Sequence, residues 1–224
     1  MTQSSQRVGP AWTLGPLVNG ASIEIETPSA AGSERIMLTT VHCTIVAVDV
    51  EGFGCRSRTN LNQVRVRHGL YRSMRLAFNA AGIPWTSCRS EDRGDGVLVL
   101  APATIPKVLF GNYLPGALAR ALAEHNAAHP AEERMRLRLA LHAGEITYDE
   151  HGVTASSITH TFRLIDADAL RTKLAESTAT LAVISSDWFY DEVIRHSERS
   201  DAPSYRPTNV TAKETSARAW IRLL

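Results

Sequence analysis

The chain has 224 residues, 44% hydrophobic and 21% charged, which is ordinary usage for a single folded domain with a full core. Its 24 basic and 23 acidic residues nearly cancel, so bulk electrostatics give no ground for binding nucleic acid or a membrane surface, and a partner must be met at a specific site. No apolar run approaches the roughly 18 residues of a membrane span. Three scattered cysteines, Cys43, Cys55 and Cys88, with no secretory leader in view, predict a protein of the reducing cytoplasm.

Residues 1–35 are rich in Ser, Gly, Pro and Ala and predict a loosely ordered arm, with the folded domain over 36–224. A strand follows, ending in the apolar run from Thr44 to Asp49. Val64, Leu70, Met74, Ala77 and Phe78 then recur at helical spacing between Leu61 and Ala81, with Arg65, Arg67, Arg72 and Arg75 largely on other faces. Gly94-Asp95-Gly96 reads as a tight hairpin turn leading into Val97 to Leu100. Pro106 predicts a helix start, with a break around Leu114-Pro115-Gly116 and helix resuming to about His129. His125 and His129, four apart with no third ligand, read as surface residues.

Arg136 to His142 alternates as a strand, with Leu137, Leu139 and Leu141 on one side. Helical patterns cover Ser156 to Asp166, Asp168 to Glu176 and Ser186 to His196; Ala179 to Ile184 is a short strand, and two last strands lie near Asn209 to Lys213 and Ala217 to Leu224. Strand, helix, hairpin, helix, strand is the order of a ferredoxin-like sheet. The fold class is therefore α+β, a βαββαβ domain with a C-terminal α/β extension.

Two carboxylates carry the chemical signal. Asp49 closes an apolar strand and Asp95 sits at a hairpin tip. An acid at the end of a buried strand is costly unless a cation or donors compensate it. Taken singly, each is also an ordinary cap or turn residue. If the hairpin lies beside the first strand, the two converge at one sheet edge, and a pair of hard oxygen ligands suits Mg²⁺ or Mn²⁺ with a nucleoside triphosphate better than zinc. Gly52 leaves no side chain where the backbone turns, so its amides could approach a phosphate.

These residues resemble the class III nucleotide cyclases. Val48-Asp49-Val50-Glu51-Gly52-Phe53 is similar to the family's first metal motif and Gly94-Asp95 to its second. The segment from Arg138 to Glu145 resembles its strand of the form Ile-His-Thr-Gly, and Ala155 to Leu164 its helix of the form Gly-x-x-Val-Asn-x-Ala-x-Arg-Leu. Val210 to Lys213, with Ala219-Trp220-Ile221 after it, resembles the closing Val-Lys-Gly-Lys hairpin. The series runs in family order over about residues 40–224.

The resemblance implies conversion of a ribonucleoside triphosphate to its 3′,5′-cyclic monophosphate and pyrophosphate. It implies a head-to-tail homodimer and two Mg²⁺ or Mn²⁺ per active site on Asp49, Val50 and Asp95. Arg163 and Thr159 would act on the α-phosphate and ribose, Lys213 on the outer phosphates, and Gly52, Phe53 and Glu91 in holding substrate. Thr159 stands where the family has asparagine, Ala155 where it has glycine, and Glu214 replaces the glycine after the closing lysine. Those departures keep a second reading open, a module that binds nucleotide or dimerises without turnover.

Glu91 occupies the position of the family's base reader, a lysine in adenylyl and a glutamate in guanylyl cyclases. A carboxylate there accepts from guanine or cytosine donors, which places GTP and the pyrimidine triphosphates CTP and UTP ahead of ATP. Compact bacterial cyclases of this kind also serve antiphage defence. With no sensor or effector segment in the sequence, a separate cyclic-nucleotide effector protein is expected.

Overall fold

The computed structural model describes residues 21–29, 32–212 and 215–224. Lys213 and Glu214 of the closing hairpin, and residues 1–20 of the arm, lie outside them. Among the described residues the strands are β1 (Ala21–Ser29), β2 (Gly32–Val50), β3 (Arg89–Asp92), β4 (Gly96–Pro102), β5 (Leu137–Asp149), β6 (Gly152–Thr154), β7 (Leu181–Ser186), β8 (Arg206–Ala212) and β9 (Thr215–Leu223). The helices are α1 (Asn60–Ala80), α2 (Val108–Asn112), α3 (Leu114–Ala128), α4 (Ser156–Ile165), α5 (Asp168–Ala175) and the short α6 (Asp187–Phe189).

All strands join one sheet in the order β3-β4-β2-β5-β7-β9-β8, with β1 added to β2 and β6 to β5. The first four strands of that order are the ferredoxin-like arrangement expected from the sequence. β5 and β7 run parallel, joined through α4 and α5, and β7 is buried along its whole length, as a strand covered on both faces must be.

Helices cover both faces. On one, Val66, Leu70, Met74 and Phe78 of α1 and Leu118 and Leu122 of α3 bury Val46, Val48, Val97, Val99, Leu139 and Leu141. On the other, Leu164 of α4 and Leu170 and Leu174 of α5 pack on Ala47, Ala140, Ala182 and Ile184. Ala47 and Ala140 are cross-strand partners, and two small side chains side by side let a helix come close to the sheet. Gly144 extends that clearance: a Cβ there would stand 2.7 Å from the Cβ of Ser157 at the start of α4.

Several expectations need adjusting. The segment read as a loosely ordered arm contains β1, which pairs with β2 from Ala21 opposite Thr40 to Ser29 opposite Gly32, so that β2 starts before Ile36. Ile23 and Ile25 alternate with polar residues there, a period-2 signal that the Ser/Gly/Pro composition obscures. The helix expected over Ser186 to His196 is one α-turn passing into a π-turn at Tyr190–Ile194. The break near Pro115 is real, because a residue with no N–H cannot continue α2 yet fits the first turn of α3.

His125, expected at the surface, is buried. Its Nε2 lies 3.0 Å from the Glu133 carbonyl oxygen and its ring stacks on His129 at 3.8 Å. It fills the space left by Gly69 of α1, where a Cβ would come within 2.4 Å of His125 Cε1. Because that ring is pinned on both sides, Gly69→Ala is expected to destabilise the fold by ~1–3 kcal/mol, read as a lowered denaturation midpoint.

No helix among the described residues is long and apolar enough to cross a membrane.

Candidate active site

The sheet register brings the two predicted acids to one edge. Asp49 is the cross-strand neighbour of Gly96 on β4 and of Arg138 on β5. The amide of Val50 donates to the Asp95 carbonyl at 2.9 Å. The strands meet this closely because residue 96 is glycine; a Cβ would lie 2.2 Å from the Val48 carbonyl oxygen.

Arg138 is the residue that sequence reasoning missed. Its Nε donates to Asp49 Oδ1 at 2.9 Å and its Nη2 to Oδ2, a bidentate pair in which both side chains are less than one-fifth exposed. Burial pushes the Asp49 carboxyl up to about 6; Arg138 pulls it down, and the charges of Asp95 and Asp166 add to the rise.

After Val50 the chain turns sharply, with Gly52 at φ +61° and Phe53 packed against the core. The amides of Val50 and Glu51 are used by Asp95 and Arg136. Those of Gly52, Phe53 and Gly54 take no acceptor among the described residues. Glu51 also pairs with Arg136 at 3.1 Å.

Glu91 lies on β3 with both oxygens engaged. Arg89 donates to Oε1 from Nε at 2.9 Å, and Arg93 donates to Oε2 at 3.0 Å. Arg89 also lies over the Tyr148 ring and Arg93 over that of Phe162 in α4, while Arg67 of α1 pairs with Asp92. Any donor edge presented to Glu91 has to share its oxygens with two guanidinium groups.

Thr159 and Arg163 project from α4 into a cleft of about 710 Å³ lined also by His142, Gly144, His160 and Thr215. Thr159 Oγ1 donates to the Ala155 carbonyl at 3.3 Å. Asp49, Asp95 and Glu91 are not among the residues lining this cleft. Lys213 lies outside the described residues.

In the same cleft His142 Nδ1 sits 2.8 Å from Ser186 Oγ, and its ring meets His160 edge-on at 4.9 Å. Burial, then the neighbouring His160 and His42, push His142 down to about 4 from the ordinary 6.5. Between those values the unfolded chain holds the extra proton, so stability at this residue rises with pH across the window and is lost on acidification. The pH slope of the melting temperature between 4 and 6.5 is expected to flatten in His142→Asn.

No protein-family model matches the sequence, and a search of curated proteins likewise finds no match. Solved structures do match. An adenylate/guanylate cyclase/hydrolase from Silicibacter pomeroyi aligns over 84% of this chain and 99% of its own, at 19% identity and a TM-score of 0.56. The fold is that of nucleotide cyclase catalytic domains. The guanylate cyclase domain of RhGC from Catenaria anguillulae, solved with GTP, shares this cyclase fold over 81% of the present chain and 95% of its own, with 13% identity and a TM-score of 0.52. A non-canonical dimeric guanylyl cyclase domain of the RhoGC fusion protein from Blastocladiella emersonii aligns over 82% of this chain and 96% of its own, with 12% identity and a TM-score of 0.53.

Mg²⁺ and Mn²⁺ take one or two carboxylates such as Asp49 and Asp95 and complete their shells with water and phosphate; both oxygens of Asp49 are engaged by Arg138, with which an ion would have to share them. Among the described residues no three His, Cys, Asp or Glu side chains cluster.

Proposed function

We propose that this protein is a nucleotide cyclase that forms a 3′,5′-cyclic monophosphate and pyrophosphate from GTP, CTP or UTP, with a complete site only between two subunits of a head-to-tail homodimer. The observation that carries the reading is the placement of Asp49 and Asp95 on adjoining strand ends, beside a turn whose next three amides take no protein acceptor among the described residues. The cyclase fold, and a GTP complex among the similar structures, support it.

Asp49, Asp95 and the backbone at Val50 would hold two Mg²⁺ or Mn²⁺. Such ions, when bound, lower the pKa of the ribose 3′-hydroxyl and neutralise the triphosphate. Gly52 and Phe53 donate amides to phosphate oxygens, much as other backbone nests bind anions. Arg163 stabilises charge developing on the α-phosphate, Lys213 holds the outer phosphates, and Thr159 orients the ribose. Glu91, fixed by Arg89 and Arg93, reads the base edge. A separate effector protein senses the product, in a role consistent with antiphage defence.

One observation favours the second reading, a module without turnover: the Thr159 hydroxyl is spent on its own helix at Ala155. Incubating the protein with each of the four ribonucleotides and Mn²⁺, then separating products, decides between the two. Cyclic product from GTP, CTP or UTP carries the enzyme reading; none from any nucleotide, with binding retained, carries the other.

A further inference from the structure

The turn that follows Asp49 is gripped from one side by a single arginine. Arg58, half-buried just before α1, donates Nη1 to the carbonyls of Gly52 at 3.0 Å and Glu51 at 3.5 Å. It donates Nη2 to that of Arg134 at 2.7 Å and Nε to that of Glu132 at 3.1 Å. One guanidinium therefore ties the turn to the loop between α3 and β5. All of its acceptors are neutral carbonyls, so the positive charge is not cancelled, and each bond is of the charge-assisted kind.

A trans peptide is planar, so a carbonyl and the N–H that follows it point in opposite directions. Holding the Glu51 and Gly52 carbonyls toward Arg58 turns the N–H groups of Gly52 and Phe53 the other way. The Gly52 carbonyl also accepts from the Cys55 amide at 3.1 Å, which fixes that peptide plane at two points. We infer that Arg58 is a positioning residue that aims the Gly52 and Phe53 amides at the phosphates of the nucleotide. This rests on the cyclase reading of the turn, and it adds a residue that neither motif spacing nor the two acids reveal.

The test measures affinity for Mn²⁺-GTP, for inorganic tripolyphosphate with Mn²⁺, and for GMP, by titration calorimetry, in wild type, Arg58→Ala, Arg58→Lys and Asn126→Ala. Asn126 is the structural control. It joins α3 to the same loop through two 2.8 Å bonds with Met135 and makes no hydrogen bond to the turn. Arg58→Ala is expected to weaken tripolyphosphate and GTP binding by about tenfold or more and GMP binding much less. Arg58→Lys, which cannot fork across four carbonyls, should fall between and keeps the test alive if Arg58→Ala does not fold.

Asn126→Ala should lower the melting temperature without this loss of phosphate affinity. Equal phosphate affinity in wild type and the Arg58 variants, or an equal loss in Asn126→Ala, overturns the inference while leaving the cyclase reading intact. A wild-type protein that binds neither tripolyphosphate nor any of GTP, CTP and UTP overturns the cyclase reading itself, and the purpose assigned to Arg58 with it.

Discussion

Asp49→Asn is expected to lower cyclic-nucleotide formation by at least ~100-fold with Mn²⁺ present, while the protein still folds. The substitution keeps the shape and one acceptor for Arg138 Nε but removes the charge that a divalent ion needs, and electrostatic groups of this kind are each worth a hundredfold or more in rate. Arg138, only 13% exposed, loses its counter-charge. That should cost about 1–3 kcal/mol of stability and show as a lower denaturation midpoint. The two readouts separate the roles. If Asp49 serves only to satisfy Arg138, stability falls and turnover stays at the wild-type rate, and that outcome would sink the metal assignment.

The strong local signals in the sequence correspond to elements in the fold. Gly94-Asp95-Gly96 is the hairpin turn because glycine at φ +82° and a Cβ-free position 96 are both needed there. Leu70, Met74, Ala77 and Phe78 of the predicted stripe form the buried face of α1, but Val64 is exposed and Val66 takes the inward place one turn before Leu70; the strand predicted over Ala179 to Ile184 is present two residues later as the buried β7. What stayed hidden depends on register. Arg138 and Asp49 are 89 positions apart, and only the pairing of β2 with β5 makes them neighbours, so no window of sequence contains the contact. Arg89 and Glu91 are different. Spacing of two puts Arg89 and Glu91 on one face of β3, so that pair was legible in principle, whereas Arg93 lies just past the strand and reaches Glu91 only because of the turn that follows. Arg58 could not be read at all, because its acceptors are main-chain carbonyls and carry no side-chain signature.

Mixing two inactive variants should restore activity. Within one chain, Thr159 and Arg163 face a cleft whose lining does not include Asp49, Asp95 or Glu91, which is the arrangement expected if each catalytic centre draws its halves from different subunits. In a head-to-tail pair with two equivalent sites, Asp49→Asn spoils one half of each site and Arg163→Ala the other. A mixed dimer then has one site carrying both lesions and one carrying neither. Random exchange between equal amounts makes half of all dimers mixed, so turnover should recover to roughly a quarter of wild type. The measurement is cyclic-product formation before and after co-incubation, with sedimentation to establish that subunits exchange. Recovery near that fraction requires the acid and the arginine to meet across the interface. Failure to recover, in samples shown to contain mixed dimers, would mean that a single chain completes its own site and that the two-subunit account is wrong.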